Sequence, residues 1–298
     1  MGRAGDPGAA PEFLVVGHVV QDLLSEDDPS QWRLGGAAAY ASLLARNLGL
    51  RAAVLTAAAP DLPLADLLPG IDCRIVASEA TTQFRNVYGA GLRRQFIPRR
   101  AAPLTAADLP GAWRNAAIVL LGPVAGEIDD SLATAFSPRS LVGAGAQGWL
   151  REVGPDYGAR AISPSAWNAR AVLSAVTGLF LSDEDLPLDE ATGALAEWSA
   201  GADILAFTRG YGGADVCHRG EWRRIDAFPA DAIDLTGAGD VFAAAFLARF
   251  AESADPWEAT RFAACAASFA VEGIGVTGVP TREQVETRLA EHPEIVAR

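Results

Sequence analysis

One short run of the chain combines groups that could bind an anion with a group that could accept a proton. Residues 234–242, of sequence DLTGAGDVF, contain Gly237, Ala238 and Gly239. Two glycines around an alanine let the backbone approach a ligand closely and let successive N–H groups point into one small volume. An apolar stretch over residues 241–250 predicts a helix, so its unpaired amides and the positive end of its dipole face the same place. The pattern favours phosphate binding.

Asp240 is the candidate proton acceptor of this run. It falls in the first turn of the predicted helix, where a carboxylate is electrostatically favoured, and it can accept a proton from a hydroxyl that approaches the same amides. The alternative is that Thr236 or Asp234 caps a buried helix and that Asp240 has no chemical role. A bare Gly-Ala-Gly-Asp sequence favours that alternative, so the choice depends on the longer pattern.

The longer pattern, Asp-x-Thr-Gly-Ala-Gly-Asp-x-Phe, is present at every position of residues 234–242. It resembles the C-terminal signature of the ribokinase-like carbohydrate kinases, also called the phosphofructokinase-B family. The resemblance implies an ATP-dependent kinase that transfers the γ-phosphoryl group to a hydroxyl, with Asp240 as the catalytic base. The amides of Gly237 to Asp240 would form the anion hole. An aspartate with an ordinary pKa of about 3.9 would be a weak base, suited to a late proton transfer.

A segment near the N-terminus resembles the substrate-binding segment of the same family. Asp22 follows the first apolar run at the spacing of the family's substrate-holding aspartate, and a carboxylate can accept hydrogen bonds from two sugar hydroxyls. Gly35 and Gly36 resemble the family's Gly-Gly pair, whose bare backbone admits the sugar closely. The alternatives are an ordinary loop acid and a tight turn. Many family members have asparagine where Tyr40 stands, and this departure leaves the class of substrate open.

Two further segments resemble the nucleotide and metal sites of the family. Thr208, Gly210 and Gly213 match its Thr-x-Gly-x-x-Gly pattern and would lie against the phosphates and ribose of ATP; the alternative is a turn into a hairpin. Ser182 and Asp185 stand where the family has an Asn-x-x-Glu pair that organises Mg²⁺ through water and phosphate. Oxygen ligands persist, which suits Mg²⁺, although the carboxylate side chain is shorter. The alternative for Asp185 is an acidic helix N-terminus.

Length, charge and cysteine content restrict the class of protein. The chain has 298 residues, of which 50% are hydrophobic, and a formal net charge of −13. A chain of this length can form one large α/β domain. The negative charge disfavours nucleic acids and anionic membranes as partners and favours a small molecule. Three widely separated cysteines, and the lack of an apolar stretch long enough to span a membrane, favour a reducing cytoplasm.

All 24 basic residues are arginine, and the absence of lysine excludes the Walker-type phosphate loop and Schiff-base chemistry.

A literal G-x-G-x-x-G match at residues 143–148 does not indicate a dinucleotide site. Gly154-Pro155 interrupts the helix that should follow it, and no acidic residue lies between Tyr157 and Leu181. Gln147, at the end of a predicted strand, could instead form a wall of the sugar pocket.

Short apolar runs alternate with helical stretches along most of the chain. The runs that predict buried strands are residues 13–17, 54–58, 117–121, 141–143, 179–181 and 204–208. This alternation predicts a mostly parallel sheet covered by helices. A hairpin over residues 214–228 and helices over residues 237–250 and 257–271 follow. We therefore expect the fold that the resemblance implies, a ribokinase-like three-layer α/β sandwich with a small β-sheet lid.

We expect residues 1–11 to form a disordered leader and residues 12–298 to form a single kinase domain. Residues 18–34 and 75–100 do not follow the alternation, and strand-forming residues around Gly89-Ala90-Gly91 predict a hairpin. The resemblance places these segments in a lid that would exclude water from the sugar site. Arginines in this lid raise the hypothesis of an anionic acceptor such as a sugar phosphate, against the alternative of a solvated outer face. These arginines are Arg85, Arg93, Arg94, Arg99 and Arg100.

Together these patterns predict an ATP- and Mg²⁺-dependent kinase that acts on a small sugar or polyol as a monomer or a homodimer. Two alternatives stay open. One is a nucleoside kinase. The other is a catalytically silent regulator that binds a nucleotide or a sugar; the departures at Tyr40, Ser182 and Asp185 favour it, and the intact Asp240 disfavours it.

Overall fold

The structure is a computed structural model that describes residues 9–89, 92–187 and 189–298. In chain order its strands are β1 (Phe13–Val16), β2 (Val20–Leu23), β3 (Trp32–Gly35), β4 (Ala52–Ala58), β5 (Asp72–Ala77), β6 (Thr82–Gly89), β7 (Leu92–Arg99), β8 (Ile118–Leu121), β9 (Leu141–Gly145), β10 (Arg151–Val153), β11 (Ala159–Ala161), β12 (Gly178–Ser182), β13 (Ile204–Thr208), β14 (Ala214–His218) and β15 (Glu221–Ile225). Its helices are α1 (Ala37–Asn47), α2 (Leu64–Leu67), α3 (Arg170–Leu173), α4 (Ala191–Gly201), α5 (Ala238–Ser253), α6 (Pro256–Ala270) and α7 (Arg282–Glu291). Residues 1–8 of the predicted leader, and Ala90 and Gly91 of the predicted turn, lie outside the described residues.

A large sheet forms the centre of the part of the chain that the structure describes. Its strand order is β15-β14-β13-β12-β9-β8-β1-β4-β5. The strands from β13 to β5 pair in parallel, and β14 and β15 add an antiparallel hairpin at one edge. In the interior, β1 pairs with both β4 and β8 and its side chains are completely buried. The run is apolar throughout because both faces of a parallel sheet are covered.

Helices and loops cover both faces of this sheet. On one face α1, α5 and α6 pack over a core that includes Phe180, Phe242 and Phe246. On the other face, the segments that contain α3 and α4 cover a second core around Trp113 and Trp198. The predicted three-layer α/β sandwich is confirmed. No helix of the described segments is both long enough and apolar enough to span a bilayer.

A separate small sheet, of order β3-β2-β6-β7, forms the predicted lid. Side chains alternate between its two faces, so Asp22, Phe84 and Asn86 line a cavity under the sheet. The bounds of the lid differ from the sequence expectation at both ends. Residues 75–77 belong to β5 in the central sheet, where they pair with β4, and Gly35 belongs to the lid strand β3.

A short hairpin that the sequence analysis did not predict covers the outer edge of the lid. Its strands β10 and β11 pair with each other, and Gly158 forms an isolated bridge with Phe96 of β7. The N–H of Ile97 donates to the carbonyl oxygen of Tyr157 at 2.8 Å. The hairpin thereby protects part of an edge strand, and it brings Arg151, its first residue, to the cavity.

Buried polar side chains fix the base of the lid to the central sheet. The carboxylate of Glu127 accepts hydrogen bonds from the backbone N–H groups of His18 at 3.1 Å and Val124 at 3.0 Å. The hydroxyl of Thr82 lies 2.7 Å from Nδ1 of His18, and Nε2 of His18 lies 2.9 Å from the carbonyl oxygen of Ala102. A carbonyl can only accept, so Nε2 carries the hydrogen and Nδ1 accepts from Thr82. His18 therefore connects the end of β1 to the lid.

Candidate active site

A cavity of about 700 Å³ lies between the lid and the C-terminal ends of the parallel strands. Gly145, Ser182 and Thr208, at the ends of β9, β12 and β13, line it, as expected for ligand binding by an open parallel sheet. The predicted site residues that line this cavity are Asp22, Gly36, Asp185, Thr208, Gly210, Gly213, Gly237, Ala238, Gly239 and Asp240. Gly35 is not among the lining residues.

The first turn of α5 presents backbone amides to the cavity. Gly237 precedes the helix with a left-handed φ of 81°, and no side chain caps the helix start. A Cβ atom at Gly237 would overlap the ring of Tyr40, so only glycine fits there. Since no side-chain cap engages them, the N–H groups at the start of α5 can bind an anion from the cavity.

Asp234 holds the loop before this helix instead of capping it. Its Oδ1 accepts a hydrogen bond from the N–H of Thr236 at 3.0 Å, and its Oδ2 accepts one from the N–H of Gly275 at 3.1 Å. Burial alone would raise the pKa of Asp234, but these hydrogen bonds lower it below its ordinary value. No side chain caps the start of α5, so the alternative in which Thr236 or Asp234 caps this helix is wrong, and the chemical role of Asp240 stays a prediction.

Asp240 lies in this first helical turn and faces the cavity. Its pKa is raised to about 7, and burial is the largest cause, because the charged carboxylate loses water. The negative charges of Asp185 and Asp22 act in the same direction, and the positive charge of Arg151 opposes them. Asp240 is thus a stronger base than the ordinary aspartate assumed from the sequence.

Both carboxylate oxygens of Asp185 accept hydrogen bonds from neighbouring protein groups. Oδ2 accepts from the N–H and the hydroxyl of Ser182, at 2.8 and 2.9 Å, and Oδ1 accepts from Nε2 of Gln147 at 3.2 Å. The side chain is buried at the cavity wall. In the described ranges no three His, Cys, Asp or Glu side chains are arranged to hold a metal ion directly. Gln147 does line the cavity, as its position after β9 predicted.

Gly35 and Gly36 have different roles in the structure. A Cβ atom at Gly35 would overlap the carboxylate of Asp22, so Gly35 provides the space that this carboxylate occupies. Gly36 has a φ of 85° and lies in the cavity wall immediately before α1. The expectation that both glycines admit the sugar directly is therefore revised for Gly35, which acts on the site through Asp22.

The segment after β13 forms the other end of the cavity. Gly210 and Gly213 both have positive φ, 51° and 79°, and a Cβ atom at Gly213 would overlap the backbone of Ile225 in the neighbouring hairpin. The hydroxyl of Thr208 donates to the carbonyl oxygen of Leu181 at 3.4 Å. Arg209 pairs with Asp215 at 2.6 Å. Apolar side chains complete this wall; they are Ala227, Phe228, Ala264, Ala267 and Val271.

Tyr40, the departure from the family pattern, is buried beneath the anion-binding turn. Only 1% of the residue is exposed, and its hydroxyl has no hydrogen-bond partner among the residues that the structure describes. Burial and the charges of Asp22, Asp234 and Asp240 raise its pKa well above the ordinary value for tyrosine, so the phenol is neutral. Its ring packs against Gly237.

The lid arginines that the structure describes do not form the hypothesised anion site and agree with the alternative of an outer face. Arg85 pairs with Glu26 and lies over the ring of Phe96, with Arg94 also over that ring. Arg99 and Arg100 are exposed, and the side chain of Arg93 lies outside the described residues. The guanidinium that does line the lid end of the cavity belongs to Arg151, together with Asn86 and Gln95 of the lid. These three residues were not predicted to line the cavity, because they come from separate strands and belong to no local sequence pattern.

Comparison with known proteins agrees with the geometry. The family model described as "pfkB family carbohydrate kinase" matches residues 173–282. Among curated proteins, the chain is 48% identical over 67 residues to a ribokinase of Bacillus subtilis (strain 168), a match that covers 22% of this chain and 23% of that protein. It is 37% identical over 93 residues to a nucleoside kinase of Methanothermobacter thermautotrophicus, covering 30% of each. The sequence matches thus span about a quarter to a third of these curated relatives.

Solved structures match over nearly the whole chain. A ribokinase of Arabidopsis thaliana complexed with ribose and ATP aligns with a TM-score of 0.71 and 23% identity, covering 94% of this chain and 99% of that one. A pyrophosphate-dependent kinase in the ribokinase family, complexed with a pyrophosphate analog and myo-inositol, aligns with a TM-score of 0.77 and 22% identity, covering 92% and 99%. These matches confirm the ribokinase-like fold, and the family match confirms the resemblance of the C-terminal signature to the pfkB carbohydrate kinases.

Proposed function

We propose that this chain, whose fold is ribokinase-like and whose residues 173–282 match the pfkB carbohydrate kinases, transfers the γ-phosphoryl group of ATP to a hydroxyl of a small sugar or polyol. One observation carries the proposal. The side chain of Asp240 and the uncapped amides of its helical turn open onto the same cavity as Asp22 of the lid. Transfer of a phosphoryl group to a hydroxyl needs a base for the hydroxyl proton and hydrogen-bond donors for the phosphoryl charge, and one turn of α5 supplies both.

In this proposal each end of the cavity performs one part of the reaction. Asp22 accepts hydrogen bonds from acceptor hydroxyls and holds one of them beside Asp240. Asp240 accepts the proton of the attacking hydroxyl, and its pKa of about 7 is close to the pH at which a general base works best. The amides of Gly237, Ala238 and Gly239 stabilise the charge on the phosphoryl group in transfer. The transition state is loose and highly charged, so catalysis depends on alignment and charge stabilisation.

The donor end of the cavity favours ATP over pyrophosphate. Its wall contains the apolar side chains of Phe228 and Val271 with three alanines, a surface that suits a purine ring and offers nothing to pyrophosphate. Thr208, Gly210 and Gly213 line the same cavity, and we propose that they contact the ATP phosphates. A pyrophosphate-dependent relative nevertheless shares the fold, so the donor has to be tested.

The residues present fit Mg²⁺ bound mainly through ATP phosphates and water. Mg²⁺ keeps several waters and commonly uses only one or two carboxylates besides substrate phosphates. Asp185, with its neighbours Asp183 and Glu184, lines the cavity and can supply such oxygens. Both oxygens of Asp185 already accept hydrogen bonds, so we propose that it acts through water. When bound, Mg²⁺ would neutralise phosphate charge.

The two alternatives make different predictions from the same site. The match to a nucleoside kinase supports a nucleoside acceptor, which would need the lid end of the cavity to hold a base. A silent regulator would bind ligands without turnover. The position of Asp240 at the cavity floor, beside uncapped amides, favours an enzyme over the regulator.

The test is ADP release with Mg²⁺ across sugars, cyclitols, nucleosides and sugar phosphates, with ligand-induced thermal shifts measured in parallel. We expect turnover with at least one sugar or polyol and ATP, and neither phosphate release nor phosphorylated acceptor when pyrophosphate replaces ATP. Thermal shifts without any ADP release would contradict the proposal and favour a regulator. Turnover limited to nucleosides would favour the nucleoside kinase.

A further inference from the structure

Three polar side chains form a hydrogen-bonded relay at the lid end of the cavity. Nη2 of Arg151 donates to Oε1 of Gln95 at 2.8 Å, and Nε2 of Gln95 donates to Oδ1 of Asn86 at 3.0 Å. Nη1 of Arg151 also donates to the carbonyl oxygen of Val124 at 2.9 Å, and its guanidinium lies 5.6 Å from the centre of the Phe84 ring. Arg151, Gln95 and Asn86 all line the cavity. We call these three residues the amide relay.

The chemistry of the amide relay fixes which atoms face the acceptor. A guanidinium can only donate, so Gln95 must turn its oxygen to Arg151 and its NH₂ group to Asn86. Asn86 must therefore turn its oxygen to Gln95. The NH₂ group of Asn86 is then its remaining polar group, and it is a donor on the face of the lid that lines the cavity.

Hydrogen-bond-accepting side chains line the part of the cavity where the hydroxyl would react. Asp22 and Asp240 are carboxylates, which accept hydrogen bonds from hydroxyls. An acceptor that fits both regions presents hydroxyls to these acids and a hydrogen-bond-accepting oxygen to Asn86, and a charged oxygen accepts most strongly. The guanidinium of Arg151 places a positive charge behind the relay, and its charge is felt as far as Asp240, whose pKa it lowers.

We propose that the acceptor is a polyol that carries an oxyanion, either a carboxylate or a phosphate ester, and that Asn86 binds this oxyanion while Gln95 and Arg151 act as positioning residues. The inference rests on the proposed kinase function, and it specifies the class of acceptor. It places the oxyanion at Asn86 and not at the lid arginines, for which an anion site was one of two alternatives. Hydrogen bonds to a charged oxygen are stronger than those to a neutral one, so the relay favours the anion over a hydroxyl of the same size.

The first experiment compares matched acceptors with the full-length protein, ATP and Mg²⁺. The two sets are ribose, ribonate and ribose 5-phosphate, and glucose, gluconate and glucose 6-phosphate, each assayed for ADP release and for thermal shift. We expect kcat/KM, or the affinity where no turnover occurs, to be about 10- to 100-fold higher for an oxyanion compound than for its neutral partner. Carboxylate and phosphate members identify which oxyanion is used. Equal or better use of the neutral sugar, or no binding of any oxyanion compound, overturns the inference.

The second experiment reverses the polarity of the relay. Asn86→Asp replaces the donor by an acceptor of the same shape, and Gln95→Glu can still accept from Arg151 but can no longer donate to Asn86, which must then turn its oxygen to the cavity. Both variants should lower kcat/KM for the oxyanion acceptor about 10- to 100-fold more than kcat/KM for its neutral partner. A merely structural role would lower both alike, and that result overturns the inference.

The matched control is Gln83→Glu, which makes the same change of charge on the lid, at a position outside the cavity wall where Gln83 donates to Gln21 at 3.0 Å. We expect its acceptor preference to be unchanged. The failure of the inference is distinguishable from that of the proposed function. Rapid phosphorylation of neutral sugars refutes the inference alone, whereas selective oxyanion binding that Asn86→Asp abolishes, without ADP release, refutes the kinase alone.

Discussion

Replacing Asp240 by asparagine should make the protein more stable and nearly inactive. Asparagine has almost the same shape but carries no charge and cannot accept a proton from a hydroxyl. If Asp240 is the general base, kcat should fall about 10²–10⁴-fold, the usual contribution of a positioned base. If Asp240 were a first-turn acid without a chemical role, the substitution would instead remove at most about 1 kcal/mol of favourable helix-dipole interaction and leave kcat unchanged.

The effect on stability follows from the raised pKa. A rise from 3.8 to about 7 means that the charged form is disfavoured in the folded protein. Three pKa units correspond to about 4 kcal/mol, and water in the open cavity screens part of this, so we expect a gain of about 1–3 kcal/mol in Asp240→Asn. Below about pH 4 the carboxyl is protonated in both folded and unfolded chains, and the gain vanishes. It should grow as the pH rises from 4 to 7 and stay constant above.

The assay is denaturant unfolding of the wild type and the variant at pH 4, 5.5, 7 and 8, together with steady-state kinetics at pH 8. Asp255→Asn is the matched control, because Asp255 caps α6 outside the cavity and asparagine caps helices equally well. It should leave both kcat and stability nearly unchanged. Near-normal turnover of Asp240→Asn, or a loss of stability at pH 8, would refute our assignment of Asp240 as a partly buried base whose charged form is disfavoured in the folded protein.

Two further substitutions test how glycine and tyrosine shape the site. Gly35→Ala should raise the KM for the acceptor at least about 10-fold, because the new methyl group displaces the carboxylate of Asp22, while the KM for ATP stays constant; equal changes in both KM values would contradict this role. Tyr40→Phe should raise the free energy of unfolding by about 1 kcal/mol, because it removes a buried hydroxyl without a partner among the described residues, and kcat should change less than about threefold. Destabilisation measured by urea unfolding would show that the hydroxyl has a partner in solution.

Those parts of the site that depend on contiguous residues could be predicted from the sequence. The run from Asp234 to Asp240 predicted both the helix start and the amides in front of it, because glycines and a following apolar helix act locally. Six strands of the central sheet were predicted because each is a short apolar run covered on both faces, namely β1, β4, β8, β9, β12 and β13. Strand β5 was not predicted, because it lies at the sheet edge and its side chains are largely exposed. Thr208 and Asp185 were assigned to the site from their resemblance to family patterns, and both line the cavity because Thr208 ends β13 and Asp185 follows β12.

The features that the sequence did not predict depend on contacts between distant segments. Asn86, Gln95 and Arg151 lie on three strands, and each alone looks like an ordinary polar surface residue. The pKa of Asp240 depends on how much water the surrounding protein excludes, which no spacing encodes. Gly35 was assigned to the substrate, because only the pairing of β2 with β3 shows that Asp22 occupies its space.

The two ends of the cavity come from separate parts of the polypeptide. In the proposed function, residues 173–282, which match the family, supply the nucleotide wall, the anion-binding turn and Asp240, whereas β2, β6, β7 and the hairpin that begins at Arg151 form the end of the cavity that binds the acceptor. Substitutions in those strands would then change acceptor binding without altering the residues proposed to transfer the phosphoryl group. Exchange of those strands between relatives could therefore give the same phosphoryl-transfer residues a new substrate. The junctions of such a chimeric enzyme would lie at the ends of these strands.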